Sequence, residues 1–192
     1  MKKINKSWAV LAALLMLALA GCSSMETQAD EQGVRYEGGV LFAQAPVFKS
    51  CQLPSQQTYG DPGDQTYVYP AGQRTLKFSA DPGSDAPPIT VSAPSPGGGQ
   101  PIVLTVSGVV TFTPNFTDCA TFQQFHELIG RKFAAYTPEG WKTMIGTYIK
   151  DPVDRAADNA ALGFDWVQLS SDAAVKTQWE QAVAQALPDM IK

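Results

Sequence analysis

The sequence has 192 residues, 44% hydrophobic, 10% aromatic and 17% charged, with 16 Gly and 14 Pro. That mixture excludes a coiled coil and a charged disordered tail, and the length suffices for one folded domain. Fourteen Lys and Arg against 18 Asp and Glu give a net charge of −4, so a basic footprint for nucleic acid is absent. One His and three Cys leave little material for metal or triad chemistry.

The chain opens with three lysines (Lys2, Lys3, Lys6), an uncharged run from Trp8 to Ala20, and small residues, the pattern of a secretory signal peptide. The run of 13 residues is short of the roughly 20 that cross a bilayer as a helix, which disfavours a permanent transmembrane anchor. Leu19-Ala20-Gly21-Cys22 resembles the lipobox of bacterial lipoproteins. In that motif the Cys thiol takes a diacylglycerol, the leader (here 1–21) is cut ahead of it, and the new amino terminus is acylated. The alternative is an ordinary secreted protein with a Cys beside its cleavage site.

Without the leader, eleven cations face 18 anions and the net charge is −7. Each buried methylene contributes about 0.8 kcal/mol, so two or three acyl chains on Cys22 hold far more firmly than one. The expected location is the extracytoplasmic face of a bacterial membrane, in the periplasm or at the cell surface, with membrane lipid as the first partner. Ser23 and Ser24, rather than Asp, follow Cys22, which in a two-membrane bacterium resembles an outer-membrane sorting signal. Residues 22–33 are small and polar and read as a flexible tether.

Export places the chain in an oxidising space, and setting Cys22 aside leaves one pair, Cys51 and Cys119. A disulfide between them closes a loop of 68 residues and adds roughly 4 kcal/mol in the chain-entropy model. The alternative is two independent thiols. No Cys-x-x-Cys pair supports redox catalysis.

From Gly33 to about Pro114 the chain is rich in Thr, Val, Tyr, Phe, Gly and Pro, and strands are predicted at 34–42, 47–52, 66–69, 73–79, 88–93 and 101–113. Gly/Pro/Asp turns lie at 59–64 and 81–85, and a Pro/Ser/Gly run at 94–99. In the last strand Ile102, Leu104, Val106, Val110 and Phe112 share one face, with Gly108 a bulge or close-approach point.

After Pro114 the period becomes 3.6. Asp118 or Thr117 caps a helix with Phe122, Phe125, Ile129 and Phe133 as a core stripe. A second helix has Pro138 in its first turn and carries Trp141, Met144, Ile145 and Tyr148, before Asp151-Pro152 breaks or restarts it. A third, 152–162, stops at Gly163, and a fourth, about 172–187, ends at Pro188. Strands first and helices afterwards imply α+β: a twisted, mostly antiparallel sheet over 34–114 followed by packed helices over 117–187, in one domain spanning 34–192.

Chemistry-bearing residues are few. His126 beside Glu127 resembles a base, yet no nucleophile accompanies it and it reads as a partly exposed helix residue. No Gly-x-Ser-x-Gly occurs. Asp61, Asp64, Asp81 and Asp85 lack the spacing and closing Glu of a calcium loop and read as turn formers. No catalytic, cofactor-binding or metal-ligating residue is assigned, and no enzyme activity is expected.

Four segments carry a family resemblance: Val34-Arg35-Tyr36-Glu37-Gly38-Gly39, Tyr69-Pro70-Ala71-Gly72-Gln73-Arg74, Pro88-Ile89-Thr90-Val91, and the strand Ile102 to Phe112. Their order resembles the stomatin/prohibitin/flotillin (SPFH, or Band 7) domain over about 33–165. Thr117-Asp118-Cys119, Phe125 to Gly130 and Gly140-Trp141 are similar to a bacterial extracytoplasmic lipoprotein branch of that superfamily. The resemblance implies a non-enzymatic membrane scaffold that self-assembles and contacts membrane or envelope proteins. Of the long coiled coil that drives ring assembly in most members, the sequence shows only the helix at 172–187. A monomeric lipoprotein that binds a ligand or blocks another envelope protein is the competing expectation.

Overall fold

A computed structural model describes residues 24–38 and 45–191. The leader 1–21, Cys22, and residues 39–42 of the first predicted strand lie outside the described residues. The architecture is α+β, with strands in the N-terminal half and helices in the C-terminal half. The described residues fall into two compact units: 24–38 and 45–73 with 113–132, and 74–112 with 133–191. The chain enters the second unit at Arg74, returns at Thr113 and leaves the first for good at Phe133.

The first unit contains β1 (Ser24–Glu26), β2 (Glu31–Glu37), β3 (Val47–Gln52), β4 (Gln57–Tyr59) and β5 (Gln65–Pro70). β2 is the centre of an antiparallel sheet, β3-β2-β5, with Val34 opposite Cys51 on one side and Tyr67 on the other. Its central position explains why Val34, Arg35 and Tyr36 are all buried and do not alternate. β1 pairs with β4, Ser24 facing Tyr59 and Met25 facing Thr58.

Over its described part, 24–33, the expected tether is instead folded: it begins with a strand, and Met25 is only 2% exposed. Local polarity misled because the ribbon is secured by side chains from elsewhere. The buried Gln52 amide donates to the carbonyls of Met25 and Gln56, and its oxygen accepts from the Thr58 hydroxyl at 2.6 Å. Thr27 Oγ1 donates to the Leu53 carbonyl at 2.7 Å.

α1 (Cys119–Phe125) starts at Asp118, whose carboxylate accepts from the Thr121 N–H at 2.8 Å, as a capping side chain should. It runs into a π-helical turn, His126–Gly130, and then α2 (Arg131–Phe133). The Arg131 N–H reaches back five residues to the His126 carbonyl, so the regular 3.6 period predicted for this helix is interrupted.

The second unit holds β6 (Arg74–Phe78), β7 (Ile89–Ala93), β8 (Ile102–Val106) and β9 (Gly108–Phe112). The strand predicted over 101–113 breaks at Ser107, so that β8 pairs with β7 and β9 with β6. Gly108 sits opposite Phe78, and a Cβ there would come within 2.8 Å of the Phe78 ring, the close approach its position suggested.

α3 (Pro138–Ile145) is capped by Thr137 Oγ1, which accepts from the Gly140 N–H. A second π turn, Gly146–Lys150, leads without interruption into α4 (Asp151–Ala161). Proline lacks an N–H and crowds the carbonyl four residues back. The widened turn ahead of Pro152 relieves that crowding, which is why Asp151-Pro152 does not break the helix. α5 (Trp166–Ser171), unforeseen in the sequence, is capped by Asp165, and its Trp166 N–H donates to the Pro94 carbonyl. α6 (Ala173–Met190) continues past Pro188 to Met190.

Phe78, Ile89, Val91 and Ala93 form a buried core with Val153, Ala156, Ala157 and Leu169. The alanines let α4 approach β7 closely, and Asp158 accepts the Ser92 N–H at 2.8 Å. No described helix is long and apolar enough to cross a membrane.

Candidate functional site

In the first unit, Cys51 on β3 and Cys119 at the start of α1 have their sulfurs 2.03 Å apart and their Cα atoms 5.7 Å apart, within the geometry of a disulfide. This bond ties α1 to the sheet and sets the aromatic groups against each other. Tyr69, fully buried on β5, meets Phe122 and Phe125 edge-on, with ring centroids 5.7 and 5.3 Å away.

His126 was expected on a partly exposed surface, and the structure overturns that: it is 1% exposed. Helix geometry is the physical reason: the His126 N–H still bonds the Phe122 carbonyl four residues back, so the residue lies on the same face as the Phe stripe. The imidazole stacks obliquely on Tyr67 and Tyr36, with centroids 4.6 and 4.9 Å away. Its Nδ1 shares a 2.7 Å hydrogen bond with the Tyr69 hydroxyl. Gly130 stands over the same hydroxyl, where a Cβ would fall 2.5 Å from the oxygen. Burial pushes the His126 pKa down to about 4, and the nearby Arg131 charge pushes the same way. The ring is therefore neutral at pH 7.

Glu127 points the other way. Its Oε1 accepts from the Tyr36 hydroxyl at 3.0 Å and from the Gln123 amide at 2.8 Å, and these bonds hold the carboxyl below its usual range. Burial and the Glu127 carboxylate together push the Tyr36 phenol upward. Adjacent in sequence, His126 and Glu127 thus have separate partners and do not converge on a common proton. The histidine is a packing residue with one hydrogen bond, enclosed by tyrosines that the helical pattern had not linked to it.

A second polar group surrounds Arg35, 5% exposed. Its guanidinium donates to the carbonyls of Tyr59 and Thr58 at 3.0 and 3.2 Å and to Thr58 Oγ1 at 2.8 Å. Asp64 lies 4.0 Å from Nε and also takes Lys49 at 3.1 Å. Asp61 and Asp64 act as turn residues, the Asp61 N–H donating to Asp64 Oδ2, while Asp81 pairs with Lys77 and Asp85 accepts the Lys77 N–H. Among the described residues no three His, Cys, Asp or Glu side chains gather as a metal would need.

The second unit has two surface features that single-residue reasoning missed. One is a cleft of about 540 Å³ lined by Arg74, Ser84, Asp85, Trp141, Lys142 and Lys150. The other is the β8 and β9 pair, each hydrogen-bonded to one strand only among the described residues, with Val103 66% and Val109 60% exposed. The alternation of the sequence carries this second signal, since a period of two puts Val103 and Val109 on the strand face opposite Leu104 and Val110. No protein-family model matches the chain, and no curated protein matches its sequence.

Proposed function

We propose that the chain is a lipid-anchored extracytoplasmic scaffold of stomatin/prohibitin/flotillin-like type, working through contacts with the membrane, with copies of itself and with envelope proteins. The observation that carries this reading is the run of β8 and β9, each paired with one strand only among the described residues, beside the exposed Val103 and Val109. Such an edge is a template for strand addition by another chain. The lipobox at Cys22 supplies the anchor, and the α+β order of elements agrees with what the resemblance implies.

The test is the mass in solution of residues 23–192 across a concentration range, compared with the double variant Val103→Lys, Val109→Lys. Lysine on an edge strand opposes strand addition, and both positions are exposed, so folding should be preserved. Discrete oligomers for the parent and monomers for the variant are the expected outcome. A parent that stays monomeric at every concentration refutes self-assembly and favours the competing reading, a ligand-binding lipoprotein. The Arg74, Trp141 and Lys142 cleft is the observation behind that second reading.

A further inference from the structure

We infer that the uncharged end of the β1–β4 ribbon, with Tyr59 at its centre, is seated in the interfacial layer of the bilayer that holds the anchor. The inference rests on lipidation at Cys22 and deepens that reading by naming the protein surface that touches lipid.

Covalent geometry limits the span from Cys22 to Ser24 to about 7 Å. Ser24 faces Tyr59 directly across the antiparallel pair, a step of about 5 Å between Cα atoms. Tyr59 therefore lies within about 12 Å of the acylated residue, whose glyceryl group sits at headgroup depth. The headgroup layer is itself about 6 Å thick on each side, so this end of the ribbon cannot stand clear of the membrane surface by more than a short step.

The chemistry of the surface fits that position. In a directly opposed pair the two side chains share a face, and Ser24 and Tyr59 are both exposed while Met25 is buried. Tyr59 is 71% exposed, the most of any large hydrophobic among the described residues together with Leu128, although its backbone is rigidly held. Arg35 clamps its carbonyl, and the Gln52 network fixes the neighbouring residues. A tyrosine presented outward on a fixed backbone is the residue type that settles at headgroup level, ring toward the acyl chains and hydroxyl toward water. Of the charges nearby, Arg35 is buried on the carbonyls of Thr58 and Tyr59, Glu26 is at the opposite end of β1, and Asp61 is paired with Lys49.

The experiment uses the full chain, processed and reconstituted into vesicles of phosphatidylethanolamine and phosphatidylglycerol, with Tyr59→Cys carrying a nitroxide label. Leu162→Cys, at a position 60% exposed in the second unit, is labelled in parallel. Both positions are on the surface, and a thermal melt of each checks that the fold is retained. The expected result is that the label at 59 loses collisions with a water-soluble nickel chelate and gains collisions with oxygen when the protein is on vesicles. The label should show neither change for the same protein in detergent-free solution without its acyl chains.

A label at 59 as open to nickel as the label at 162, on protein whose intact mass shows acylated Cys22, overturns the inference and leaves the anchor reading standing. Protein that lacks the acyl mass and does not float with vesicles overturns both. Equal loss of nickel collisions at 59 and 162 also overturns it, since shielding would then not be specific to the ribbon.

Discussion

The buried His126 makes stability depend on pH in the mildly acid range. Its folded pKa, about 4, lies below the 6.5 of an unstructured histidine, so between those values the unfolded chain binds more protons. Stability is then full above pH 6.5 and declines as pH falls toward 4, by about 2–3 kcal/mol. The carboxylates held low by their partners, Asp61, Asp81, Asp118 and Glu127, lose their contribution only in more acid solution. Denaturant unfolding at pH 7 and pH 4.5 should show the loss in the parent and a much flatter dependence in His126→Gln. Equal slopes would remove the buried imidazole as the cause. The residue itself was legible as a helix position beside a Phe stripe, but its burial was not. Regular spacing places it on that stripe, four residues after Phe122, and what the pattern did not carry is the pair of tyrosines, Tyr36 and Tyr67, that enclose a polar ring there.

Among the elements, those with a strong period or a cap were legible: β3 matches its prediction over 47–52, and α1 begins at Asp118 as expected. The elements missed, β1, β4 and α5, are three to six residues long, too short to display a period. β1 depends on Gln52, far from it in sequence, on Arg35 acting through β4, and on the bonds of the adjacent Thr27 to Leu53 and Gln56. Met25→Ala should cost about 2–5 kcal/mol, since it empties a buried site where β1 joins the unit. A melting temperature unchanged by that substitution would return residues 24–26 to the status of a tether. The Cys51–Cys119 bond spans 68 positions, and its loss through Cys51→Ser or a reductant should lower stability by about 2–4 kcal/mol. Coincident thermal melts with and without reductant would contradict this.

For the whole molecule, fold class was readable because alternation and helical spacing occupy different halves of the sequence. The division into two units was not, because each unit is assembled from two separated stretches of chain. Composition shifts mark boundaries between consecutive domains, and here strand-rich sequence continues without a change of character through Gln73 and Arg74. The cluster at Cys51, Cys119 and the tyrosines has the same origin: residues 51, 69 and 126 meet only after an intervening unit has been looped out. The proposed assembly belongs to this scale, and Val103 and Val109 are its most direct handles.

Mechanical load gives the Cys51–Cys119 bond a meaning apart from equilibrium stability. A pull applied at the N-terminus would peel β1, then β2, then β3 as far as Cys51. There the covalent bond passes tension straight to Cys119, so β4 to β9, all lying between the two cysteines, carry none of it. Stretching the oxidised chain should fall short of the reduced chain by about 230 Å of contour length, the extended span of the bypassed residues. A protein held to a surface by its first residues would thereby keep most of its strands out of the line of force.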